Sequence, residues 1–413
     1  MYKNKSERNA ARLKSLSLTK EKRKKQICRV YTVKIQSNKL NSIQKEQLKM
    51  LFVNAKWLYN DIISFTSSGN NIFDYKINKS VSVKDKNGNY EIRELNYIGS
   101  HIRQALFRRT ISTIRTFNTC KKKGINVGKP KFKSSINSIE LRKFGATYQI
   151  KGDHFVKIQN ISGKLRVNGL NQIPEKCEIA NAILLNKLDG YYLAITTYSE
   201  NKKSLNNKCI GIDMGCKTSF TFSNGEEIDV KIKEPENYNR LQSKRSKQIK
   251  GSNNYKRTTY RLYKIRKHIF NIKNDISNKI VSKLNKSYGF IFIQNEDLRG
   301  WSSNGHGKSI KMSCLGRVKY KLSKQPNVYI VNRWKPTTQQ CINCGRKQQM
   351  PLKQRIFECD CGLCMPRDLH SANRMIQEGI KLVPTEHREF IDSSWKNFVL
   401  QYIKSNSLNG QSS

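Results

Sequence analysis

The apolar residues in the first third of the chain recur mostly at helical spacing. After a basic segment over 1–26, which we predict to be flexible, alternation over 27–36 predicts a strand. Residues 41–65 carry apolar side chains three and four positions apart and so predict a long helix, with Ser42 as N-cap and Lys45 where a capping box needs Glu or Gln. A Gly/Asn-rich stretch then predicts a loop or hairpin. A second helical pattern follows, and its apolar positions are Ile98, Ile102, Ala105, Leu106, Ile111 and Ile114.

The period changes to two over residues 128–200. Short alternating runs separated by turn residues predict β-hairpins, which we interpret as a barrel-like β unit. Lysines occupy the exposed faces of these strands. That pattern suits contact with phosphates, although lysine on edge strands also protects a sheet against aggregation.

Beyond residue 206, short buried strands end near carboxylates. One strand ends at Asp213 and Gly215 in the sequence GIDMG, a second covers 218–222, and Asn224-Gly225 turns the chain into a third. A helical pair broken at 251–254 comes next, and its second helix has apolar residues in a clear three-four rhythm. Two further strands are expected, and they cover 288–296, ending at Glu296, and 327–334.

The charge narrows the class of partner. The 413 residues include 79 Lys and Arg against 30 Asp and Glu, a net charge of +49 spread over every segment. A folded chain with that much self-repulsion is best neutralised by a polyanion, so we expect nucleic acid as the partner. A ribosomal or other RNA-coating protein would show the same charge.

The same composition argues against membranes and disulfides. There is no apolar run long enough to span a bilayer, and the basic N-terminus lacks the apolar core of a secretory signal. The 11 cysteines are scattered except for a cluster over 341–364, which favours a reducing compartment and a metal site. We therefore expect no membrane partner and a cytoplasmic protein.

Two cysteine pairs have the spacing of a zinc ribbon. Cys341-x-x-Cys344-Gly and a second cluster, Cys359-Asp-Cys361-Gly-Leu-Cys364, are typical of thiolates on tight turns around one tetrahedral ion, and a redox pair would not need both. A glycine follows Cys361 as one follows Cys344, so we assign Cys359 and Cys361 to the second pair and Cys364 as the surplus thiol. The alternative pair of Cys361 and Cys364 remains open.

Three carboxylates stand at the ends of apolar elements in a chain poor in acids. They are Asp213, Glu296 and Asp368, and the last begins a predicted helix. Carboxylates brought together repel unless cations lie between them, and two Mg²⁺ ions are the usual solution in phosphodiester hydrolysis. Singly, each acid has an ordinary alternative as a loop or cap residue, and for Asp368 helix N-capping is a fair alternative.

These motifs together resemble the split RuvC-like nuclease of the TnpB family of transposon-encoded RNA-guided endonucleases. The matching segments occur in family order and cover roughly 30–400, with GIDMG, EDLRGW and RDLHSA joined by the PTTQQCINCG and CDCG segments. The resemblance implies an α/β and β multidomain fold, in which an RNase H-like (RuvC) nuclease domain carries a zinc-ribbon insert beside a β-barrel wedge domain with a helical recognition insert. It implies that Asp213, Glu296 and Asp368 are catalytic and hold two Mg²⁺. It also implies that one structural Zn²⁺ is held by Cys341, Cys344, Cys359 and Cys361.

The resemblance also implies a domain order and partners. A guide RNA derived from the transposon end would pair with target double-stranded DNA beside a short motif that the protein reads, and the protein would act as a monomer in that ribonucleoprotein. The expected segments are a basic extension over 1–26, the wedge over 27–39 and 128–205, the helical recognition domain over 40–127, the nuclease over 206–335 and 366–382, the zinc-ribbon target-nucleic-acid-binding insert over 336–365 and a C-terminal tail over 383–413.

Three features depart from the family pattern or invite misassignment. The second pair is Cys-x-Cys instead of the commoner Cys-x-x-Cys. His370 stands where many relatives have Asn, which could alter how this helix contacts DNA or the active site. Asp297 adjoins Glu296, and strand alternation predicts that it faces away.

Other functions fit parts of the sequence. A compact type V CRISPR effector shares the same architecture, and a non-cleaving RNA-guided repressor would be expected to have lost one or more of the acids. A plain zinc-ribbon RNA-binding protein would leave the three acids unexplained. We therefore expect a Mg²⁺-dependent, RNA-guided DNA endonuclease.

Overall fold

The computed structural model describes residues 4–84, 88–200, 206–351 and 353–408. The chain divides into two compact units, Met1–Asn201 and Lys202–Ser413. Within the described part of the chain, every helix is too short or too polar to cross a membrane.

A nearly closed, seven-stranded antiparallel sheet forms the core of the first unit. Along the sheet the strands follow the order β4-β8-β9-β1-β7-β6-β5. Tyr148 on the last strand donates its hydroxyl to the carbonyl of Ala180 on the second, at 3.0 Å, so the two edges of the sheet approach each other. The predicted barrel-like β unit is therefore confirmed. The strands are β1 (Gln26–Ile35), β4 (Ser138–Leu141), β5 (Tyr148–Lys151), β6 (Phe155–Ile158), β7 (Leu165–Asn168), β8 (Glu178–Lys187) and β9 (Gly190–Glu200).

Two long helices and a hairpin lie between β1 and β4. The helices α2 (Ser42–Ser67) and α3 (Ser100–Lys122) were predicted, and the hairpin β2 (Ser80–Lys84) with β3 (Tyr90–Glu94) takes the place of the predicted loop or hairpin. The expected N-cap of α2 was wrong. Asn41 is the cap, and its exchange of hydrogen bonds with Gln44 completes a capping box one residue earlier than expected.

The N-terminal segment is a helix, α1 (Lys5–Lys24), and not the flexible extension that its charge suggested. Asn4 caps it by accepting a hydrogen bond from the backbone of Glu7 at 2.8 Å. At its other end Arg23 pairs with Glu178 and lies 3.5 Å above the ring of Tyr198. Hydrogen bonds from Arg23 and from Lys22 lower the pKa of Glu178 to about 2. These contacts come from distant strands, so local composition could not reveal them.

A five-stranded mixed sheet forms the core of the second unit, in the order β12-β11-β10-β13-β14. Three neighbouring strands run parallel, and β11 and β12 add an antiparallel edge. The strands predicted over 218–222, 288–296 and 327–334 are all shorter than expected, and Glu296 lies beyond its strand instead of ending it. The five strands are β10 (Cys209–Met214), β11 (Phe220–Phe222), β12 (Glu227–Ile228), β13 (Phe290–Gln294) and β14 (Val328–Val331).

Seven helices accompany this sheet in the described part of the chain; the sequence predicted the pair broken at 251–254 and the helix that carries Asp368, but not the three short helices after β13 or the helix of the C-terminal segment. The long helix α5 buries one apolar face and begins after Ser252, which accepts a hydrogen bond from the backbone of Tyr255 at 3.2 Å. A short π-helical turn, Ser302–His306, joins two of the smaller helices. The helices are α4 (Asn237–Ser246), α5 (Asn253–Ser287), α6 (Leu298–Trp301), α7 (Gly307–Met312), α8 (Leu315–Leu322), α9 (Arg367–Gly379) and α10 (Thr385–Leu408).

The cysteine-rich segment shares a hydrophobic core with the sheet. It contains the hairpin of β15 (Ile356–Glu358) and β16 (Cys364–Pro366). Its buried side chains, among them Phe357, pack in one cluster with residues of β13, α9 and α10. The predicted C-terminal tail contributes to this cluster through helix α10, on which Trp395 is 4% exposed.

Candidate active site and metal centre

Asp213, Glu296 and Asp368 line a single cleft of about 1070 Å³. Asp213 is the next-to-last residue of β10, and Glu296 comes two residues after β13. These strands are parallel neighbours, so their carboxyl ends meet at one edge of the sheet, where open α/β sheets commonly bind ligands. Asp368 is the second residue of α9. The structure therefore brings the three predicted acids to one opening.

Helix α9 reaches this edge because it lies unusually close to β10. A Cβ atom at Gly211 would collide with the carbonyl oxygen of Ala372, and one at Gly379 would collide with the ring of Phe292 on β13. One glycine on the strand and one on the helix thus permit the contact. The first glycine of GIDMG acts here through packing, and brings the helix that carries Asp368 against the strand that carries Asp213.

A chain of polar side chains holds Asp213 from the α9 side. Ser371 donates its hydroxyl to Asp213 Oδ1 at 2.8 Å, and its Oγ lies 3.2 Å from Thr337 Oγ1. Thr337 in turn donates to Gln294 Oε1 at 3.0 Å. Sequence reasoning assigned no role to these three residues. The position of Ser371, one helical turn after Asp368, is the signal that could have found it.

The environment of two of the acids, Asp213 and Glu296, disfavours their charged forms. Burial raises the pKa of Asp213 to about 7, and the neighbouring Asp368 and Glu296 add to the rise against the hydrogen bond from Ser371. Burial also raises the pKa of Glu296, although Lys319 and Arg333 oppose it. Carboxylates with these shifts are common in sites that bind cations or transfer protons.

The three carboxylates are not gathered as tightly as metal ligands. Among the described residues, the only compact group of at least three potential ligand atoms is formed by cysteines. Asp368 instead lies 3.4 Å from the guanidinium of Arg367. The three acids nevertheless face the same cleft.

Asp297, the neighbour of Glu296, has a structural role and does not belong to this set of three acids. Asp297 caps α6 by accepting a hydrogen bond from the backbone of Gly300 at 3.1 Å, and it pairs with Arg333 at 3.4 Å. Asp368 does not cap α9, because the N-cap is Pro366 and no side chain caps that helix. The alternative role considered for Asp368 is therefore wrong.

Cys341, Cys344, Cys359 and Cys361 bring their sulfur atoms within 4.8 Å of one another. The closest pairs are 3.5 and 3.6 Å apart, near the edge of about 3.8 Å that four Zn–S bonds of about 2.3 Å would give. Gly345 and Gly362 follow the two turns with φ of 76° and 85°, a region in which glycine carries no steric penalty. Cys364 stands outside the group, in β16 opposite Glu358.

Two of the clustered thiols, Cys341 and Cys361, have pKa values shifted in opposite directions. Burial raises the pKa of Cys341 to about 12. Burial acts on Cys361 in the same direction, but hydrogen bonds from the backbone of Leu363 and the side chain of Asn343 outweigh it and lower its pKa to about 7. A cation at the centre would favour the thiolate form of all four, so the donor set fits a tetrahedral metal.

The cysteine-rich segment is joined to α9 by specific contacts. His370 is buried and stacks on Phe357 of β15, with ring centroids 3.7 Å apart and planes inclined by 8°. Its burial, with the nearby charge of Arg374, lowers its pKa to about 3. The side chain of His370 therefore faces the hairpin, and an effect of this residue on contacts of the helix with DNA or the active site stays a prediction.

The next turn of α9 adds polar contacts. Arg374 pairs with Glu378 at 2.8 Å and donates to Gln340, which precedes the first cysteine. Gln377 donates to the carbonyl of Ile342 at 3.3 Å. The helix that begins with Asp368 thus also supports the first cysteine turn.

Comparison with known proteins gives two family matches. Residues 192–300 match the model described as "Probable transposase" of the OrfB_IS605 type. Residues 315–375 match the model of the "Cas12f1-like, TNB domain". The first match contains Asp213 and Glu296, whereas the second contains all four clustered cysteines and Asp368.

Two individual curated relatives match this chain at low sequence identity over less than half of its length. A "Putative RNA-guided DNA endonuclease" of Streptomyces pristinaespiralis is 26% identical over 181 residues, 41% of this chain and 45% of the relative. "Putative RNA-guided DNA endonuclease InsQ" of Escherichia coli K12 is 22% identical over 209 residues, 44% of this chain and 52% of the relative. The chain thus spans about half the length of the curated relatives it matches.

Among solved structures, a Cas12f1-sgRNA-target DNA complex is similar, with 13% identity and a TM-score of 0.25 over 84% of this chain and 98% of that one. The two family matches cover the sequence motifs, and the first of them begins within β9 of the first unit. The resemblance to the TnpB family that those motifs indicate is therefore confirmed over residues 192–300 and 315–375.

Proposed function

We propose that this protein is a guide-RNA-directed DNA endonuclease that hydrolyses phosphodiester bonds with a RuvC-type, Mg²⁺-dependent site. The observation that carries the proposal is the convergence of Asp213, Glu296 and Asp368 on one cleft at the carboxyl ends of two parallel strands. The mixed sheet with an antiparallel edge and α9 packed across it supports an RNase H-like assignment. The names of the curated relatives support the same activity.

The three acids would hold two Mg²⁺ ions. When bound, such ions supply an activated water and neutralise the charge that develops on the leaving oxygen. Ser371 orients Asp213 by donating to Oδ1, which leaves its other oxygen free to face the cleft. Partial desolvation of Asp213 and Glu296 would strengthen their interaction with any cation that enters the cleft. Arg367 and Lys335, which also line the cleft, can bind the phosphates of a nucleic-acid strand.

The remaining parts are assigned by their chemistry and by the family resemblance. The cysteine group would hold one structural Zn²⁺, and 336–365 would be the target-nucleic-acid-binding insert. The β unit of 27–39 and 128–205 would be the wedge, with 40–127 as the recognition domain and 206–335 with 366–382 as the nuclease. A guide RNA from the transposon end would select target double-stranded DNA by base pairing, while the protein, as a monomer, contacts the backbone. The net charge of +49 suits that role.

The test is cleavage of a plasmid target by the full chain purified with its RNA. Asp213→Ala should reduce cleavage to background while binding of guide and target is retained, because a metal-holding carboxylate is needed for the chemistry and not for backbone contacts. Asp297→Asn is the matched control, since it changes a neighbouring acid outside the cleft and keeps the ability to cap α6. Cleavage at the parent rate by Asp213→Ala would refute the assignment.

A compact type V CRISPR effector is the second candidate, favoured by the match of 315–375 to the Cas12f1-like domain. Sequencing of the RNA that copurifies with the protein separates the two. A 3′ end that derives from the transposon end supports the first candidate, whereas a repeat-array sequence supports the second.

A further inference from the structure

Trp334 is exposed in a turn that is otherwise held firmly. Its side chain is 82% exposed, whereas Trp395 is 4% exposed and the other two tryptophans are partly buried. It occupies the turn between β14 and the first cysteine pair, in the sequence Asn332-Arg333-Trp334-Lys335. An indole this exposed gains little from folding and is accessible to a ligand.

The backbone on both sides of Trp334 is fixed from the core. Gln294, 5% exposed at the end of β13, shares the two hydrogens of its side-chain amide among the carbonyls of Asn332, Arg333 and Lys335, which lie 3.1, 3.3 and 3.0 Å from Nε2. The backbone of Trp334 donates to the side chain of Asn332 at 3.0 Å, and Lys335 closes the turn by donating to the carbonyl of Asn332 at 3.1 Å. The indole is therefore presented to solvent from a preorganised turn.

The turn borders the cleft that contains the three acids. Trp334, Arg333 and Lys335 all line that cleft, and so does Trp301. Arg333 lies 5.6 Å from the centre of the Trp334 ring. Aromatic side chains flanked by cations are the usual means of holding single-stranded nucleic acid, because the ring stacks on a base while the cations bind the phosphates beside it.

We propose that Trp334 stacks on an unpaired base of the strand that enters the cleft and so positions the phosphodiester next to the three acids. The proposal deepens the proposed function, because it names single-stranded nucleic acid as the species in contact with the site. Arg333 and Lys335 bind the flanking phosphates. The stack tolerates any base, since every base offers an aromatic face. Trp334 is a positioning residue and takes no part in bond breaking.

The first test uses tryptophan fluorescence in the full chain with its RNA, in the Asp213→Ala background so that the probe is not cut. A short single-stranded DNA should quench the emission, and a Trp334→Phe variant should lose most of that quenching. Trp395→Phe is the matched control, because Trp395 is 4% exposed in the hydrophobic core of the same unit, cannot stack on a base and should leave the quenching unchanged. Equal quenching in the parent and Trp334→Phe would overturn the proposal.

The second test separates stacking from phosphate attraction. Trp334→Ala should weaken binding of the single-stranded DNA by about 5- to 150-fold, whereas Trp334→Phe should largely retain it. An oligonucleotide of the same length with abasic sites has the same charge, so the parent should bind it less tightly and Trp334→Ala should bind both probes equally. A parent that does not discriminate between the two probes would contradict stacking.

The two proposals can fail separately. If Asp213→Ala still cleaves but the base-dependent quenching is present, the catalytic assignment is wrong and the stacking site stands. If Asp213→Ala is inactive but Trp334→Ala leaves both KM for target cleavage and base discrimination unchanged, the stacking site is wrong and the nuclease assignment stands.

Discussion

At Asp213, burial and the neighbouring carboxylates both raise the pKa of the side chain. Both disfavour the charged form, and the Ser371 hydroxyl compensates only in part, so its pKa lies near 7. The unfolded chain would release this proton near pH 4. A carboxyl group with such a shift opposes folding when it is ionised, and a cation in the cleft would remove that penalty.

The pH dependence of stability follows from this shift. Between about pH 4 and pH 7 the metal-free folded chain binds more protons than the unfolded chain, so the free energy of unfolding falls as the pH rises. Asp213→Asn replaces the titratable carboxyl group by a neutral amide, so this pH dependence is lost. In EDTA, the variant should therefore gain stability relative to the parent between pH 5 and pH 8.5, as measured by urea denaturation.

Addition of Mg²⁺ is the control for this experiment. The ion binds the ionised carboxylate of the parent, so at pH 8.5 it should reduce the advantage of Asp213→Asn. A stability difference that is the same at pH 5 and pH 8.5 in EDTA would contradict the raised pKa.

Helix α9 connects most of the functional parts of the second unit. Its first turn carries Asp368, Ser371 contacts Asp213, and His370 and Arg374 contact the cysteine-rich segment. Its distance from the sheet depends on Gly211, at which a side chain would meet the helix backbone. A shift of this helix would therefore affect both the acids and the cysteine cluster.

Gly211→Ala should displace α9 and reduce both stability and cleavage. The new methyl group would collide with the carbonyl of Ala372, and a backbone atom cannot move aside as a side chain can. We expect a loss of about 3 kcal/mol in the free energy of unfolding, measured by denaturant titration.

Gly316→Ala is the matched control. Gly316 lies inside α8, and a Cβ there would meet only Leu298 at an ordinary 3.7 Å. Because alanine favours helix more than glycine, stability should stay the same or rise by up to about 1 kcal/mol. Equal destabilisation by both substitutions would show that the contact at Gly211 has no special role.

A second prediction at the scale of a structural element concerns zinc binding by the cysteine cluster. Cys344→Ser should lose bound zinc, because a structural site needs all four ligands, whereas Cys364→Ser should keep about one zinc per chain. Metal content of the purified variants, measured by mass spectrometry, checks this. Equal zinc loss in both variants would mean that Cys364 is a ligand.

At the scale of the whole molecule, the positive charge determines which class of partner the protein attracts. A net charge of +49 repels itself in the absence of a polyanion and attracts nucleic acid over a distance set by the ionic strength. Each phosphate that the protein neutralises releases a counterion, so affinity depends on salt. The two units, each with its own hydrophobic core, supply the stability that such a charge opposes.

Target binding should therefore weaken steeply with salt. For about 6–10 phosphate contacts, affinity of the Asp213→Ala ribonucleoprotein for target DNA should fall by about 10³–10⁵-fold between 50 and 200 mM salt. Filter binding over that range measures it. Arg333→Gln should reduce the slope by about one. Affinity that is insensitive to salt would contradict recognition through the phosphate backbone.

Local pattern in the sequence was sufficient for much of the element order. The alternation of β1, the rhythm of α5 and the glycines after each cysteine pair all act over a few residues, so the sequence alone determines them. The choice of Cys359 and Cys361 from the position of Gly362 agrees with the group of sulfur atoms in the structure.

Contacts between residues far apart in the chain decided how the elements and the site residues come together. Residues far apart in the chain hold α1 at Glu178, bring Ser371 to Asp213, turn His370 toward Phe357 and fix the turn of Trp334 through Gln294. None of these pairs is encoded by a local period, because packing and long-range hydrogen bonds select them only when the chain is folded. The sequence by itself determined which residues could carry the chemistry, and the tertiary structure decided which of them meet.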